Sequence, residues 1–125
     1  MRSLLDASVV LSPHRIPLEA ESAISVATLA ELHFGANLAR RDDQRAARLR
    51  RLSEVESRFE ALPVDSAIAR SYGQLAHALV VDGRNPRPRA MDILIAATAQ
   101  THKVPLLTRD RGFAAFAEHL DIRFV

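Results

Sequence analysis

The sequence contains no cysteine and no tryptophan, and Lys103 is the one lysine among its 17 cationic residues. The absence of cysteine excludes a disulfide framework and every thiolate zinc site. No apolar run approaches the roughly 18 residues that a membrane-spanning helix needs, and the first residues have no signal-peptide pattern. We therefore expect a soluble, cytoplasmic protein that folds without a covalent or metal staple.

The composition is that of one compact globular domain. Of the 125 residues, 48% are hydrophobic and 26% are charged, and a chain of this size buries roughly 65% of its unfolded surface. We expect a single domain over residues 1–125. The net charge is only +2, but nearly all cations are arginines, whose guanidinium binds phosphate well. A codon-usage bias that replaces surface lysines is the alternative explanation.

Apolar patterns typical of strands and helices alternate along the chain. This alternation predicts an α/β domain with a mostly parallel sheet and helices on both faces. Pro13 and Pro17 interrupt regular structure near the first strand. One predicted strand ends at Asp6, and the others cover 23–26, 105–108 and 122–125, with an extended link at 61–64. One predicted helix starts at about residue 27, and a second spans 42–59. A third runs from the Asp65-Ser66 cap to Asp82-Gly83, and the last two span 90–102 and 113–119.

Four acidic residues lie among the most apolar residues of the sequence: Asp6, Glu31, Asp92 and Asp110. Asp6 and Asp110 follow predicted strands, and Glu31 and Asp92 lie near the starts of predicted helices. Because ligand sites in parallel α/β sheets gather beyond the carboxyl ends of the strands, all four can converge on one edge. Ion pairs with the abundant arginines are the alternative explanation.

The negative charges of converging carboxylates repel each other and must be neutralised. Two of them 4 Å apart repel by about 4 kcal/mol at an effective dielectric constant near 20, so such a cluster must take up protons or bind cations. Oxygen ligands without sulfur favour Mg²⁺ or Mn²⁺ over zinc. One or two such ions can orient a water molecule, lower its pKa and stabilise a pentavalent phosphate.

The residues around these acids resemble those of a known family. The segments 4–10, 24–32, 92–99 and 106–110, in this order and at these spacings, resemble the PIN-domain ribonucleases and, among them, the VapC toxins of type II toxin–antitoxin systems. The resemblance implies a three-layer α/β/α PIN-like domain with a mostly parallel central sheet. It also implies metal-dependent hydrolysis of single-stranded or loop RNA such as tRNA, rRNA or mRNA.

The resemblance assigns roles to individual residues. Asp6, Glu31, Asp92 and Asp110 match the catalytic acids, with Asp6, Asp92 and Asp110 as metal ligands. Ser8 and Thr108 match supporting hydroxyl residues. The family also implies homodimers, and heterotetramers or larger assemblies with a small VapB-like antitoxin. Ala7 departs from the threonine common in the family, and the short segment 7–30 predicts a reduced cap over the antitoxin groove.

The expected reaction is attack of a metal-activated water on an RNA phosphodiester, leaving a 3′-hydroxyl and a 5′-phosphate. Five arginines flank the acids and are predicted to contact RNA phosphates, although a solvated basic surface is the alternative. They are Arg84, Arg87, Arg89, Arg109 and Arg111.

Two features of the sequence are left without a catalytic role. The five histidines (14, 33, 77, 102 and 119) lack ligand spacing and are expected to be structural. Aromatic residues are too sparse to predict a base-stacking surface. The alternative functions are a catalytically weak PIN-like binding module, and a phosphatase or DNA nuclease acting on another phosphate ester.

Overall fold

A parallel sheet forms the centre of the structure, a computed structural model that describes residues 2–12 and 21–125. Over these residues the sheet has five strands in the order β3-β2-β1-β4-β5, and every neighbouring pair is parallel. The predicted mostly parallel sheet is therefore confirmed. The strands are β1 (Ser3–Leu5), β2 (Ser22–Ser25), β3 (Glu60–Leu62), β4 (Leu106–Thr108) and β5 (Ile122–Phe124).

Helices connect these strands, and their boundaries follow from local capping. Ser25 caps the helix after β2 by accepting from the Ala27 N–H, and Asp65 caps the helix after β3 by accepting from Ile68. The helices are α1 (Ala7–Val10), α2 (Val26–Asn37), α3 (Asp42–Arg58), α4 (Ser66–Val81) and α5 (Ala90–His102), with short 3₁₀ helices at Arg87–Arg89 and Arg111–Phe116.

Successive strand residues point to opposite faces of the sheet, and each face is covered. Leu4 and Leu106 face a core built with α4, α5 and the second 3₁₀ helix. Their neighbours Leu5 and Leu107 face a second core with residues of α1, α2 and α3. Both faces of the sheet are thus buried against helices, which gives the predicted three-layer α/β/α architecture.

The order in which strands are added to the sheet reverses at its centre. β1 lies between β2 on one side and β4 on the other, so the connections on the two sides run in opposite directions. Asp6 directly follows β1, and Asp110 lies two residues beyond β4. This is the topological switch point at which open α/β sheets bind ligands.

Two predicted elements differ from the structure. The extended link predicted at 61–64 overlaps the edge strand β3, which begins at Glu60, pairs with β2 and ends before Pro63. The helix predicted at 113–119 is a 3₁₀ helix that begins at Arg111, because Asp110 caps it by accepting from the Gly112 N–H. The prediction at Pro13 and Pro17 lies outside the described residues. No helix in the described ranges is long and apolar enough to cross a membrane.

Candidate active site

Asp6 is the most enclosed of the four predicted acids, with only 4% of its surface exposed. Both of its carboxylate oxygens accept hydrogen bonds from hydroxyl groups. Ser8 Oγ donates to Oδ1 at 2.6 Å, and Thr108 Oγ1 donates to Oδ2 at 2.8 Å. The Val9 N–H also approaches Oδ1, at 3.4 Å, as the first turn of α1 begins. A buried carboxylate with these donors is held in one orientation.

The direction of each hydroxyl proton is determined by the backbone. Ser8 Oγ accepts from the Arg109 N–H at 2.8 Å, and Thr108 Oγ1 accepts from the Asp110 N–H at 2.9 Å. Because a backbone N–H can only donate, each hydroxyl keeps its own proton for Asp6. Ser8 and Thr108 thus each connect a backbone amide after β4 to a carboxylate oxygen of Asp6.

Asp110 lies on the short turn that leads from β4 into the second 3₁₀ helix. Its Oδ1 accepts from the Gly112 N–H at 2.8 Å. A methyl group placed on Gly112 would lie 3.1 Å from both Asp110 Oδ1 and Arg89 Nη2. The absence of a side chain at Gly112 therefore allows these two charged groups to approach the same backbone.

Asp92 lies in the first turn of α5 and forms an ion pair with the residue before that helix. Arg89 Nη2 lies 3.2 Å from Asp92 Oδ2, and 29% of the Asp92 side chain is exposed. Burial raises the pKa of Asp92, the hydrogen bond and charge of Arg89 lower it, and the charges of Asp110 and Asp6 raise it. Arg89 therefore offsets part of the effect of burial and of the neighbouring acids, and the pKa of Asp92 remains above its ordinary value.

The pKa of Glu31 responds to burial and to the charges of the other three acids. Burial raises its pKa above the ordinary value of 4.5, and the negative charges of Asp92, Asp6 and Asp110 raise it further, in that order. All three predicted partners thus act on Glu31 from nearby. The four acids, which come from four separate segments of the chain, share one negative field at the carboxyl edge of the sheet.

The donor set fits a hard divalent cation in its chemistry. It consists of carboxylate oxygens, which Mg²⁺ and Mn²⁺ prefer. Within residues 2–12 and 21–125, however, no three acidic or histidine side chains stand close enough together to hold an ion. Hydrogen bonds already engage both oxygens of Asp6, and Arg89 engages one oxygen of Asp92. The carboxylate oxygens therefore suit such an ion chemically, but the described side chains do not form a metal-holding group in this structure.

The five arginines predicted to contact RNA fall into two groups. Arg89, Arg109 and Arg111 are engaged: Arg109 Nη1 donates to Ser12 Oγ at 2.7 Å, and the Arg111 Cζ lies 4.5 Å from the centre of the Phe124 ring. Arg84 and Arg87 are exposed on the loop that leads to α5, and their guanidinium groups contact no described residue through an ion pair or hydrogen bond. Arg84 and Arg87 are therefore the two of the five whose guanidinium groups make no ion pair, hydrogen bond or ring contact among the described residues.

Sequence reasoning did not identify Gly112 as part of the site. Its backbone N–H binds Asp110 and its carbonyl accepts from Arg89 Nη2 at 2.8 Å. The signal was present as a glycine two residues after an acid that follows a strand, a pattern typical of a side-chain-capped turn. The histidines stay outside the described site; His33 pairs with Glu56 at 3.2 Å, and His14 lies outside the described residues.

An apolar groove adjoins the acids. It encloses about 270 Å³ between α2, α3 and the end of α1, and Glu31 forms part of its wall. Leu11, Leu32 and Leu52 contribute apolar surface, while Arg48 and Arg51 contribute positive charge. Further along α2, Phe34 and Leu38 are 67% and 62% exposed. An apolar surface of this kind next to a charged site is typical of an interaction surface.

Comparison with known proteins gives consistent results. Residues 4–119 match the family model of the PIN domain. Over 93 residues the chain is 43% identical to Ribonuclease VapC5 of Mycobacterium tuberculosis (strain ATCC 25618 / H37Rv), an alignment that covers 74% of this chain and 67% of the relative. Ribonuclease VapC4 of the same organism is 34% identical over 98 residues, which is 78% of this chain and 73% of the relative.

Solved structures agree with this assignment. A member of the VapBC family of toxin–antitoxin systems, VapBC-5 from Mycobacterium tuberculosis, matches with a TM-score of 0.83 at 35% identity, covering 99% of this chain and 97% of that chain. FitAcB from Neisseria gonorrhoeae matches with a TM-score of 0.82 at 28% identity, covering 98% and 96%. The family resemblance seen in the four acidic motifs is confirmed.

Proposed function

The chain belongs to the PIN-domain family and, within it, to the VapC ribonucleases, and we propose that it is an Mg²⁺- or Mn²⁺-dependent endoribonuclease. It acts as the toxin of a type II toxin–antitoxin pair. The observation that carries the proposal is the state of Asp6, a buried carboxylate with both oxygens oriented by hydroxyl groups. It lies in the shared field of three further acids.

Each acid has a role in this proposal. Asp6, Asp92 and Asp110 hold the divalent ion or ions, and Glu31 completes the catalytic set. When bound, the ion lowers the pKa of a water molecule and neutralises charge on the phosphate. Ser8 and Thr108 prevent rotation of the Asp6 carboxylate, so its oxygens keep their direction without a ligand. The buried position of Asp6 keeps bulk water from competing for those oxygens.

The RNA is held by charge rather than by stacking. Arg84 and Arg87 project from the loop before α5, whose first turn carries Asp92. They are therefore placed to bind phosphates next to the acids. In the proposed reaction the oxygen of water bonds to phosphorus and the P–O3′ bond breaks, so the products are a 5′-phosphate and a 3′-hydroxyl that takes up a proton. The names of the two relatives, Ribonuclease VapC5 and Ribonuclease VapC4, support RNA as the substrate.

The partner is a small antitoxin. The solved relative VapBC-5 belongs to a family of toxin–antitoxin systems, and the groove beside Glu31 offers apolar walls with Arg48 and Arg51 at its border. We infer that an amphipathic segment of the antitoxin carrying acidic residues fills this groove and covers the acids. Homodimers of this chain, joined by the antitoxin into heterotetramers, complete the proposed assembly in the cytoplasm.

The central experiment compares two aspartates that cap helices. Asp6→Asn changes the carboxylate at the site, and Asp65→Asn changes the same residue type with the same capping role at α4, where Asp65 Oδ1 accepts from Ile68 at 2.9 Å. With Mn²⁺ present, we expect Asp6→Asn to lose RNA cleavage by about 100-fold or more. Asp65→Asn should cleave like the wild type.

Other outcomes are informative as well. Cleavage of RNA by Asp6→Asn at the wild-type rate would contradict the proposal. Hydrolysis of a phosphomonoester or of DNA, without cleavage of RNA, would favour the phosphate-ester alternative. Binding of RNA without cleavage by the wild type would favour the binding module. In cells, wild-type expression should arrest growth, and Asp6→Asn or Asp92→Asn should relieve the arrest.

A further inference from the structure

Arg89 is held on three sides, unlike a free surface arginine. Its Nη2 donates to Asp92 Oδ2 at 3.2 Å and to the Gly112 carbonyl at 2.8 Å. Its Cζ lies 5.3 Å from the centre of the Phe116 ring, within the range of a cation–π interaction. Only 23% of the side chain is exposed. The fold therefore positions this guanidinium inside the site.

The ion pair of Arg89 reaches one of the four acids. Among the described residues, Asp92 is the member of the acidic set that pairs with an arginine side chain. The positive charge offsets part of the repulsion that Asp92 experiences from Asp6 and Asp110. In this structure the guanidinium therefore offsets part of the negative charge at Asp92, as a bound cation would.

We propose that Arg89 is an exchangeable counter-ion of the acidic site: it neutralises Asp92 in the metal-free protein and leaves Asp92 Oδ2 when a divalent cation binds. This inference rests on the proposed metal-dependent function. Asp92 Oδ2 accepts from the guanidinium at 3.2 Å in this structure, so a cation that binds this carboxylate lies next to a second positive charge. Two positive charges on one carboxylate also repel each other, which favours one occupant at a time.

The surroundings of Arg89 allow this exchange. The Gly112 carbonyl and the Phe116 ring hold the guanidinium independently of Asp92, so release from Asp92 costs one ion pair and not the whole set of contacts. Once released, Arg89 has a donor available for phosphate, the role that its place in the sequence predicts.

The test measures metal binding rather than catalysis. Mn²⁺ is titrated by calorimetry into the full chain, and Tm is measured in EDTA. For Arg89→Gln we expect Mn²⁺ affinity to rise about fivefold, as a competing part-buried ion pair is removed, while Tm in EDTA falls. A merely structural residue would lower both quantities, so the opposite signs are specific to a counter-ion.

Arg111→Gln is the matched control. It removes the same charge next to Asp110, but Arg111 contacts the Phe124 ring and no described carboxylate. We expect its Mn²⁺ affinity to change by less than about twofold. An equal rise in both variants would show a general charge effect and would overturn the specific role of Arg89.

Two further results would also overturn the proposal. Unchanged or weaker Mn²⁺ binding by Arg89→Gln contradicts the counter-ion role alone, and the proposed nuclease function survives. Absence of Mn²⁺ binding by the wild type and by Arg89→Gln contradicts both. Should Arg89→Gln fail to fold, the unmutated protein labelled with ¹⁵N-arginine replaces it: the Arg89 Nη signals must shift as Mg²⁺ saturates the site, and unchanged signals overturn the proposal.

Discussion

Thr108 Oγ1 donates a 2.8 Å hydrogen bond to Asp6 Oδ2 and accepts one from the Asp110 N–H at 2.9 Å. The side chain is fully buried. A single hydroxyl group thus links the carboxyl ends of β1 and β4, the two strands that meet at the switch point. The geometry of two catalytic candidates depends on it.

Replacing this hydroxyl should destabilise the protein and impair the site. Thr108→Val keeps the shape but leaves Asp6 Oδ2 and the Asp110 N–H without their hydrogen-bond partner, so we expect the free energy of unfolding to fall by about 2–3 kcal/mol. Chemical denaturation in EDTA measures this loss, and RNA cleavage should fall with it. Thr98→Val is the control, because Thr98 is equally buried but donates only to the Leu94 carbonyl of its own helix. Equal losses in both variants would contradict the interpretation.

Glu31 should make the metal-free protein less stable as the pH rises. Its pKa is raised in the folded protein by burial and by the other acids, so the folded state holds the proton more tightly than the unfolded chain does. Stability is therefore lost as the pH rises above the ordinary value of 4.5 and through the raised pKa.

Glu31→Gln tests this sign. In EDTA at pH 7 the variant should melt a few degrees above the wild type, and the difference should vanish below pH 4.5, the ordinary pKa. Glu54→Gln, at an exposed position on α3, removes the same charge and should show no such pH-dependent gain. A Glu31→Gln protein that is less stable than the wild type at pH 7 would disprove the shared negative field.

The turn at Gly112 should not tolerate a side chain. In Gly112→Ala the methyl group would lie 3.1 Å from Arg89 Nη2 and from Asp110 Oδ1, and both groups must move. We expect RNA cleavage to fall about tenfold or more, because small displacements of catalytic groups are costly.

Gly73→Ala provides the comparison for this turn. Nothing lies within 4 Å of the added methyl, and the position is inside α4. Alanine should stabilise that helix by about 0.5–1 kcal/mol and leave cleavage unchanged. Normal cleavage by Gly112→Ala would show that the close approach of Arg89 and Asp110 is not needed.

The loop before α5 should contribute salt-dependent RNA affinity. Arg84→Gln combined with Arg87→Gln removes two guanidinium groups that contact no described residue through an ion pair or hydrogen bond. In binding titrations with single-stranded RNA on an Asp6→Asn background, the slope of log affinity against log salt should become shallower by about 0.7 per lost phosphate contact.

Arg58→Gln is the control for this loop. Arg58 precedes β3, and therefore lies at the amino edge of the sheet, away from the acids. Its removal should leave the slope unchanged. A double variant with the wild-type slope would remove the loop from the RNA-binding surface.

Much of the fold was predictable because its signals are local. Ala90–His102 follows from 13 residues that are apolar on most sides of a helix and contain neither proline nor glycine, and the start of α4 follows from the capping residue Asp65. β3 was harder to recognise, since its three residues include the exposed Glu60 and end before a proline. A strand this short at the edge of a sheet depends on pairing with β2, which local sequence does not encode.

The site was predictable in its residues but not in its contacts. The four acids stand out because unpaired carboxylates are costly among apolar neighbours. The ion pair of Arg89 with Asp92 is local, three residues apart, but its second bond reaches Gly112, 23 residues away. Which way a guanidinium turns is decided by tertiary packing, and a sequence pattern carries no information on it.

The link between Asp6 and Thr108 also has a consequence in time. The ribosome adds Thr108 102 residues after Asp6, and at 5–20 residues per second this interval lasts about 5–20 s. During it, Asp6 has neither its Thr108 donor nor the neighbouring strand β4. The nascent chain therefore carries its first catalytic candidate without a site around it, and the cell that makes the chain does not contain the assembled site until synthesis has passed β4.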